Sequence, residues 1–542
     1  MKKNWLLFLV VPMVVSCQNG GPLEFVPYSF IVDPAITNVD SDTELYYQQK
    51  DFTPVRLCHG KDEQGEYKYE YKKYMKEFLK DNRDNRTHAL MNSTGDNKML
   101  VLPIRFADSP NDIPLEDKTI LLQNAFFGDS SVTKLESVSS FYNKSSYGQL
   151  RLSGDVAPWY TVGSKKVEGG IPERSWTSYS TNQIIATRMI ALEALDNYRQ
   201  SGVDLTKYDN NNDGYIDSLY VVYDFPYSTV TKDKKPDDEF RWAYVDFIKE
   251  NETSLNTEVP YANAYGWSSL YFAIENGRKV DSSTYIHETG HMLGLQDYYN
   301  TGNKDTNHFQ PLGFFDLMDS NQGDHTVLSK YLLNWMSPKI LKHNVEGSVT
   351  LNIFSNTGDC LLIPLDDKDI HNPYGEYLML EYFAPEKLNT PNSLKYQDVD
   401  KYGKTVIFEF PTVHGLKVYH IDARLGYYKR ETIGIANERI CFVGEEDKAT
   451  LPLDNALIDF YYSNEIKDNE VNKRNVLYHL LESSGSNSFR DGNFASNKTL
   501  WGYGDTFGID TFKDLAKRAK VTFKVTSLMR DNVTITFSRY SE

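Results

Sequence analysis

Residues 284–300 read TYIHETGHMLGLQDYYN, and the two histidines inside this stretch constrain the chain more than any other feature. His287 and His291 are four positions apart, so on a helix they stand one above the other and can grip one ion with their ring nitrogens. Serine and threonine at 282–284 suit a helix start, and Gly294 suits the left-handed residue that ends a helix. A short helix carrying both histidines is predicted here, with Glu288 projecting beside them.

These residue types point to zinc. The ion favours imidazole and carboxylate ligands in a tetrahedral arrangement, and a catalytic site keeps one position for water, whose pKa falls toward about 7. A glutamate beside that water can take its proton and later pass it to a leaving amine, which is the role expected of Glu288. His287 and His291 need a third partner. A glutamate on a following helix is disfavoured, because the next glutamate after His291 is Glu346, beyond the apparent catalytic region. The other arrangement turns the chain at a glycine after the helix and presents a ligand three residues later, and Gly294 followed by Asp297 resembles that metzincin signature. His308, in the polar loop beyond, is the alternative third ligand. In PLGFFDLMDSNQGDH, Met318 has a setting similar to the metzincin Met-turn, although a lone methionine is more often core packing.

A second candidate ion site lies upstream in DNNNDGYID. Asp209, Asn211, Asp213, the Tyr215 carbonyl and Asp217 alternate as oxygen ligands, and Gly214 takes the sharp turn at the sixth position, as in a calcium loop. The twelfth position holds Tyr220 in place of a bidentate glutamate, and the loop runs into the apolar SLYVVY. A structural calcium loop between a helix and a strand is expected; the alternative is an ion-free cluster of Asx turns.

The chain has 542 residues, and single hydrophobic cores stop growing near roughly 250–300, so two or three domains are expected. With 40% hydrophobic and 13% aromatic residues there is enough apolar matter for real cores. A formal charge of -17 argues against nucleic acid as a partner, since phosphate binders concentrate Lys and Arg. The chain opens Met-Lys-Lys, followed by the apolar run Trp5 to Val15, too short to span a bilayer and shaped like a secretory signal. VVSC resembles a lipoprotein box, which makes Cys17 the lipidated first residue of the mature chain and predicts an exported protein anchored to a bacterial cell envelope. Ordinary signal-peptide cleavage is the alternative.

Three further cysteines, Cys58, Cys360 and Cys441, are too few for a disulfide scaffold, with Cys360–Cys441 the one pairing worth weighing. Residues 1–17 are thus expected to be the signal, and residues 18–97, which are polar, a tether and pro-segment-like region. There Cys58 beside His59 could hold a zinc's open position as a latency switch; a plain unpaired cysteine is the default. From Met99 an apolar run announces a buried strand, and a helix is predicted from Thr181 to Arg199 with Ser180 and Gln183 placed for a capping box. After Lys339 short alternating segments predict a mostly β C-terminal region, residues 340–542, packed on a catalytic part at 98–339.

Together VLPIRFAD, SSYGQLRLSGDVAPWYTV, YDNNNDGYIDSLYVVY, HETGHMLGLQDYY and LSKYLLNWMSPK, in that order, resemble the immune inhibitor A family of secreted bacterial zinc metallopeptidases. The resemblance implies an α+β, zincin-type catalytic domain with a mixed sheet and an active-site helix. It implies a zinc endopeptidase with bound calcium and an activating pro-segment, His287, His291 and Asp297 as ligands, and Glu288 as general base. Protein or peptide substrates and a monomer are expected. The group that stabilises the oxyanion is unassigned, with Tyr298, Tyr299 and His325 as candidates. The chain departs from the family at DFPYSTVTKDKK, where a glycine-rich turn is expected. The competing function is a non-catalytic surface lipoprotein that uses a metallopeptidase scaffold to bind host protein or glycan.

Overall fold

The computed structural model describes residues 45–47, 91–163, 183–227, 242–248, 256–274, 280–295, 297–299, 309–320, 322–365, 376–393, 395–399, 405–409, 411–422, 427–433, 437–443, 456–458, 476–491 and 493–541. Cys17, Cys58, His59 and His308 lie outside these residues, as does the side chain of Cys441.

The predicted strand from Met99 is the middle of β1 (Gly95–Arg105). It pairs in parallel with β2 (Leu150–Val156), with the short β3 (Tyr160–Thr161), and with β4 (Leu219–Tyr223). β6 (Ala264–Ser269) adds to β4 in parallel, and β5 (Tyr244–Phe247) closes that edge antiparallel to β6. The sheet is mixed, as expected. β4 reads LYVVY with every residue buried because both faces of the sheet are covered, the situation in which parallel strands lose polar alternation. Leu219, Val221 and Tyr223 join the core under the long helix, whereas Tyr220 and Val222 join the core that holds the histidine helix.

Helices α1 (Leu115–Phe127) and α2 (Val138–Ser145) pack on the histidine-helix side. Ser137 and Ser140 form a reciprocal capping box at the start of α2. On the other face lies α3 (Gln183–Gln200), within two residues of its expected bounds. Its Thr187, Ile190, Ala191, Ala194 and Leu195 are buried at helical spacing. Next come α4 (Ser283–Met292), α5 (Leu317–Ser320) and α6 (Val327–Leu332).

The C-terminal half is β-rich as predicted. A five-stranded sheet runs in the order 478–481, 415–422, 376–383, 360–364, 339–340, and a four-stranded sheet in the order 347–352, 532–539, 521–528, 506–507. Strand Glu376–Phe383 is buried along its whole length, and alternation explains how. Leu378, Leu380 and Tyr382 face the four-stranded sheet in one core, while Tyr377, Met379 and Phe383 turn the other way into the core that contains α4. This second core is continuous from Met91 to Leu500. Cys360 is a free buried thiol with its Sγ 3.5 Å from Met336 Sδ, so the weighed pairing to Cys441 is not made. Among the described residues no helix is long and apolar enough to cross a membrane.

Candidate metal centre and the turn beneath it

Helix α4 lies with Tyr285, Ile286, Thr289 and Met292 buried, its Tyr285 hydroxyl donating to the Ser269 carbonyl of β6 at 2.8 Å. Tyr142 of α2 donates to the Ile286 carbonyl at 2.7 Å and fixes the helix from the opposite side. The expected serine and threonine cap is not what starts the helix. Ser282 occupies the N-cap without capping through its side chain, and the Asp281 carboxylate instead accepts from the Ser283 N–H and hydroxyl. An acceptor two residues earlier reaches the first-turn donors equally well and carries the charge that a helix N-terminus favours.

The helix ends where the sequence predicts, with Gly294 at φ +96°. The Gly294 N–H donates to the His291 carbonyl and the Leu295 N–H to the Gly290 carbonyl, so the chain reverses at once. That reversal lets the Leu295 carbonyl accept from His291 Nδ1 at 2.8 Å and brings Asp297 back beside the helix. Asp297 Oδ1 lies 3.0 Å from His287 Nε2 and 3.4 Å from His291 Nε2. Among the described residues these three are the group of His, Cys, Asp or Glu side chains that converges closely enough to hold an ion.

The donor set fits a zinc ion. His287 Nδ1 sits 3.0 Å from the Leu317 carbonyl, which can only accept, so the hydrogen is on Nδ1 and Nε2 presents its lone pair to the cluster. His291 does the same through Leu295. Imidazoles tied by their outer nitrogen to a carbonyl are the usual way a protein orients metal-ligating histidines. Burial would lower the His291 pKa, but the Asp297 carboxylate overrides it and raises it to about 9. Burial would raise Asp297, and the two histidines hold its carboxyl well below the usual carboxylate range. A cation held by these three atoms would balance the Asp297 charge in place of a protonated His291. Glu288 is buried with its pKa raised by desolvation, partly offset by His291 and His287, and its Oε2 has no hydrogen-bond partner among the described residues.

Met318 lies directly under this helix. A Cβ added to Gly290 would be 2.4 Å from Met318 Sδ, so the helix backbone rests on the thioether between the two histidines. The Leu317–Met318 pair serves both halves of the cluster, because the Met318 carbonyl accepts from the Tyr298 N–H at 3.0 Å, next to Asp297. Asp316 holds this turn: its carboxylate accepts from the N–H groups of Met318 and Thr326 and from the Thr326 and Ser329 hydroxyls. Two of the oxyanion candidates face inward. Tyr298 is fully buried against Tyr478, and His325 is buried among Phe141, Tyr142 and Trp335, 3.8 Å from Asp316. Tyr299 is half-buried, with its ring 6.5 Å from that of His287.

The acidic loop is knit together by its own hydrogen bonds. Asp209 accepts from the Asp213 and Gly214 N–H groups, Asn211 from the Asp213 N–H, and Asp213 from the Tyr215 N–H. These oxygens serve the loop's own Asx turns. Asp217 accepts from the Asn210 N–H through Oδ2 and is fully buried, with Oδ1 lacking a partner among the described residues and its pKa raised to about 7, first of all by burial. Sequence reasoning missed Asp316, Thr326 and the Leu317 carbonyl, because a backbone acceptor has no residue signature.

The stretch that holds these residues has counterparts among known proteins. Residues 87–328 match the family model described as the immune inhibitor A peptidase M6 catalytic domain. This segment is similar to the catalytic domain of the immune inhibitor A peptidases. Immune inhibitor A of Bacillus thuringiensis subsp. alesti is 24% identical over 254 residues, a stretch that covers 41% of this chain and 36% of that protein. The match therefore spans little more than a third of the relative. The family's catalytic-domain match holds all of α4, Asp297 and the Met318 turn, and stops before the C-terminal sheets.

Proposed function

We propose that this chain is a zinc-dependent endopeptidase of the immune inhibitor A family that cleaves extracellular proteins. One observation carries the proposal: His287 Nε2, His291 Nε2 and Asp297 Oδ1 converge while both outer ring nitrogens are tied to carbonyls, with the Glu288 carboxyl buried beside them. Zinc held there supplies Lewis-acid polarisation of the scissile carbonyl and acidifies water. Glu288, desolvated and raised in pKa, takes the proton of the attacking water and passes it to the departing amine. Strand β5 forms the described edge of the sheet beside α4, and its outer backbone groups suit an extended peptide added as a further strand. A protein that only bound a partner would have no need of a desolvated carboxyl next to a cation cluster, which disfavours the lipoprotein-scaffold alternative.

The secretory-type N-terminus supports export, with lipid anchoring through Cys17. The buried, unpartnered Asp217 oxygen supports a structural calcium ion at the acidic loop. Metal analysis and peptide cleavage on the full-length chain in detergent test the whole proposal. One zinc per chain is expected in both the wild type and Glu288→Gln, with hydrolysis reduced in the variant by roughly 10²–10⁴. Undiminished cleavage by Glu288→Gln, or zinc retained after His287→Ala, sinks the active-site assignment; a preparation free of calcium sinks the loop assignment.

A further inference from the structure

We propose that Tyr478, a residue of the C-terminal five-stranded sheet outside the matched catalytic domain, is a positioning residue of the metal centre. This rests on His287 being a metal ligand, as proposed above. Tyr478 lies 2.7 Å from Thr326 Oγ1 through its hydroxyl. Thr326 donates its own hydroxyl to Asp316 Oδ2 at 2.6 Å, so the proton between the two hydroxyls comes from Tyr478. The Leu328 N–H, 3.3 Å away, donates to the tyrosine oxygen. Asp316 Oδ1 accepts from the Met318 N–H at 2.8 Å, and the peptide bond that carries this N–H also carries the Leu317 carbonyl, the acceptor of His287 Nδ1. Asp316 joins the two halves: the Tyr478 and Thr326 hydroxyls donate toward it from the C-terminal sheet, and the Met318 N–H donates to it from the side of the imidazole, whose own Nδ1–H goes to the Leu317 carbonyl.

The ring of Tyr478 makes a second connection. It packs edge-on against Tyr298 with centroids 5.3 Å apart, and Tyr298 donates its N–H to the Met318 carbonyl beside the ligand Asp297. One side chain therefore braces both the helix ligand and the loop ligand. Asp316 is fully buried; burial pushes its carboxyl up, and His325 and the Thr326 hydroxyl and N–H bring it below its ordinary value, so it stays an anion that holds the turn. Loss of the Tyr478 hydroxyl leaves the Thr326 oxygen without that donor, so the Thr326 hydroxyl that holds Asp316 shifts, and the carboxylate and the Leu317 carbonyl move with it.

Tyr478→Phe removes only the hydroxyl. Zinc affinity, measured on the full-length chain by competition with a chromogenic chelator, should fall roughly 10-fold, the low end of what outer partners of metal ligands contribute. The d–d spectrum of the cobalt-substituted protein should shift, and kcat should fall with KM unchanged. Asp316→Asn should weaken zinc by roughly 10–100-fold, and the double variant should be no weaker than Asp316→Asn alone, because both act on one chain of bonds. Tyr382→Phe is the control, since Tyr382 belongs to the C-terminal core and its hydroxyl donates to the Met529 carbonyl, outside this chain of bonds. It should lose stability with zinc affinity and cobalt spectrum unchanged. Wild-type zinc affinity in Tyr478→Phe, or an equal loss in Tyr382→Phe, overturns the coupling alone. A wild-type chain that binds no zinc overturns both the coupling and the metal centre.

Discussion

Gly290 has no Cβ because Met318 occupies the place of one. An alanine methyl would sit 2.4 Å from Sδ and 3.1 Å from Cε of Met318, with the Tyr142 oxygen at 3.4 Å, so the helix must lift or the thioether must swing away. Overpacking of this kind costs about 1–3 kcal/mol. Gly290→Ala is expected to lose stability in that range by urea denaturation and to bind zinc more weakly, whereas the same change at an exposed helix position would stabilise. Gly290→Ala paired with Met318→Ala should recover much of the lost stability; no recovery would mean that the clash lies elsewhere. The candidate site was legible at this scale because it is local: His287, His291 and Asp297, which converge, and Glu288 beside them fall inside one short stretch. Their supports were not. The acceptor of His287 is a carbonyl 30 positions away, and Thr326 meets Tyr478 across 152 positions, contacts that only folding creates.

Helix α4 was predictable at both ends, yet for reasons of unequal quality. Its start was assigned to serines and a threonine, and Asp281 does the capping, since residue preference tells that an oxygen is needed but not which nearby one wins. Its end was assigned to Gly294, and there the backbone allows few substitutes. Any other L-residue at φ +96° costs about 1–2 kcal/mol. Gly294→Ala is expected to lower stability by that amount, read by thermal melting. The reversal also places the Leu295 carbonyl on His291, so zinc affinity should drop in the same variant. A variant with reduced melting temperature and intact zinc affinity would separate the turn from the ligand it is argued to aim. The acidic loop shows the opposite lesson: oxygen spacing alone does not distinguish ion ligands from Asx turns, because both place an acceptor on alternate residues.

The five-stranded sheet has no solvent-facing side, one face closing the C-terminal core and the other the core around α4. Sequence alternation identified its strands but could not tell that both faces are covered, since burial on the second face depends on what docks there. One consequence is acid sensitivity transmitted to the metal centre. His479 follows Tyr478 in the strand at one edge of this sheet, with its ring near Phe309 and Phe489 and its Nε2 buried without a partner among the described residues. Burial, with the neighbouring His420 and Arg490 charges, lowers its pKa to about 3. The folded state therefore binds its proton only near pH 3, while the unfolded chain binds it near 6.5. Between those values the unfolded state holds more protons, so stability falls as pH drops below about 6.5, by up to ~1.4 kcal/mol per pH unit for this one group. His479→Gln stays neutral throughout and should flatten the melting-temperature profile between pH 6.5 and 4 relative to wild type. Because His479 adjoins Tyr478, zinc release on acidification should also begin at lower pH in His479→Gln; parallel melting and zinc-release profiles in the two proteins would refute the link between this sheet and the centre.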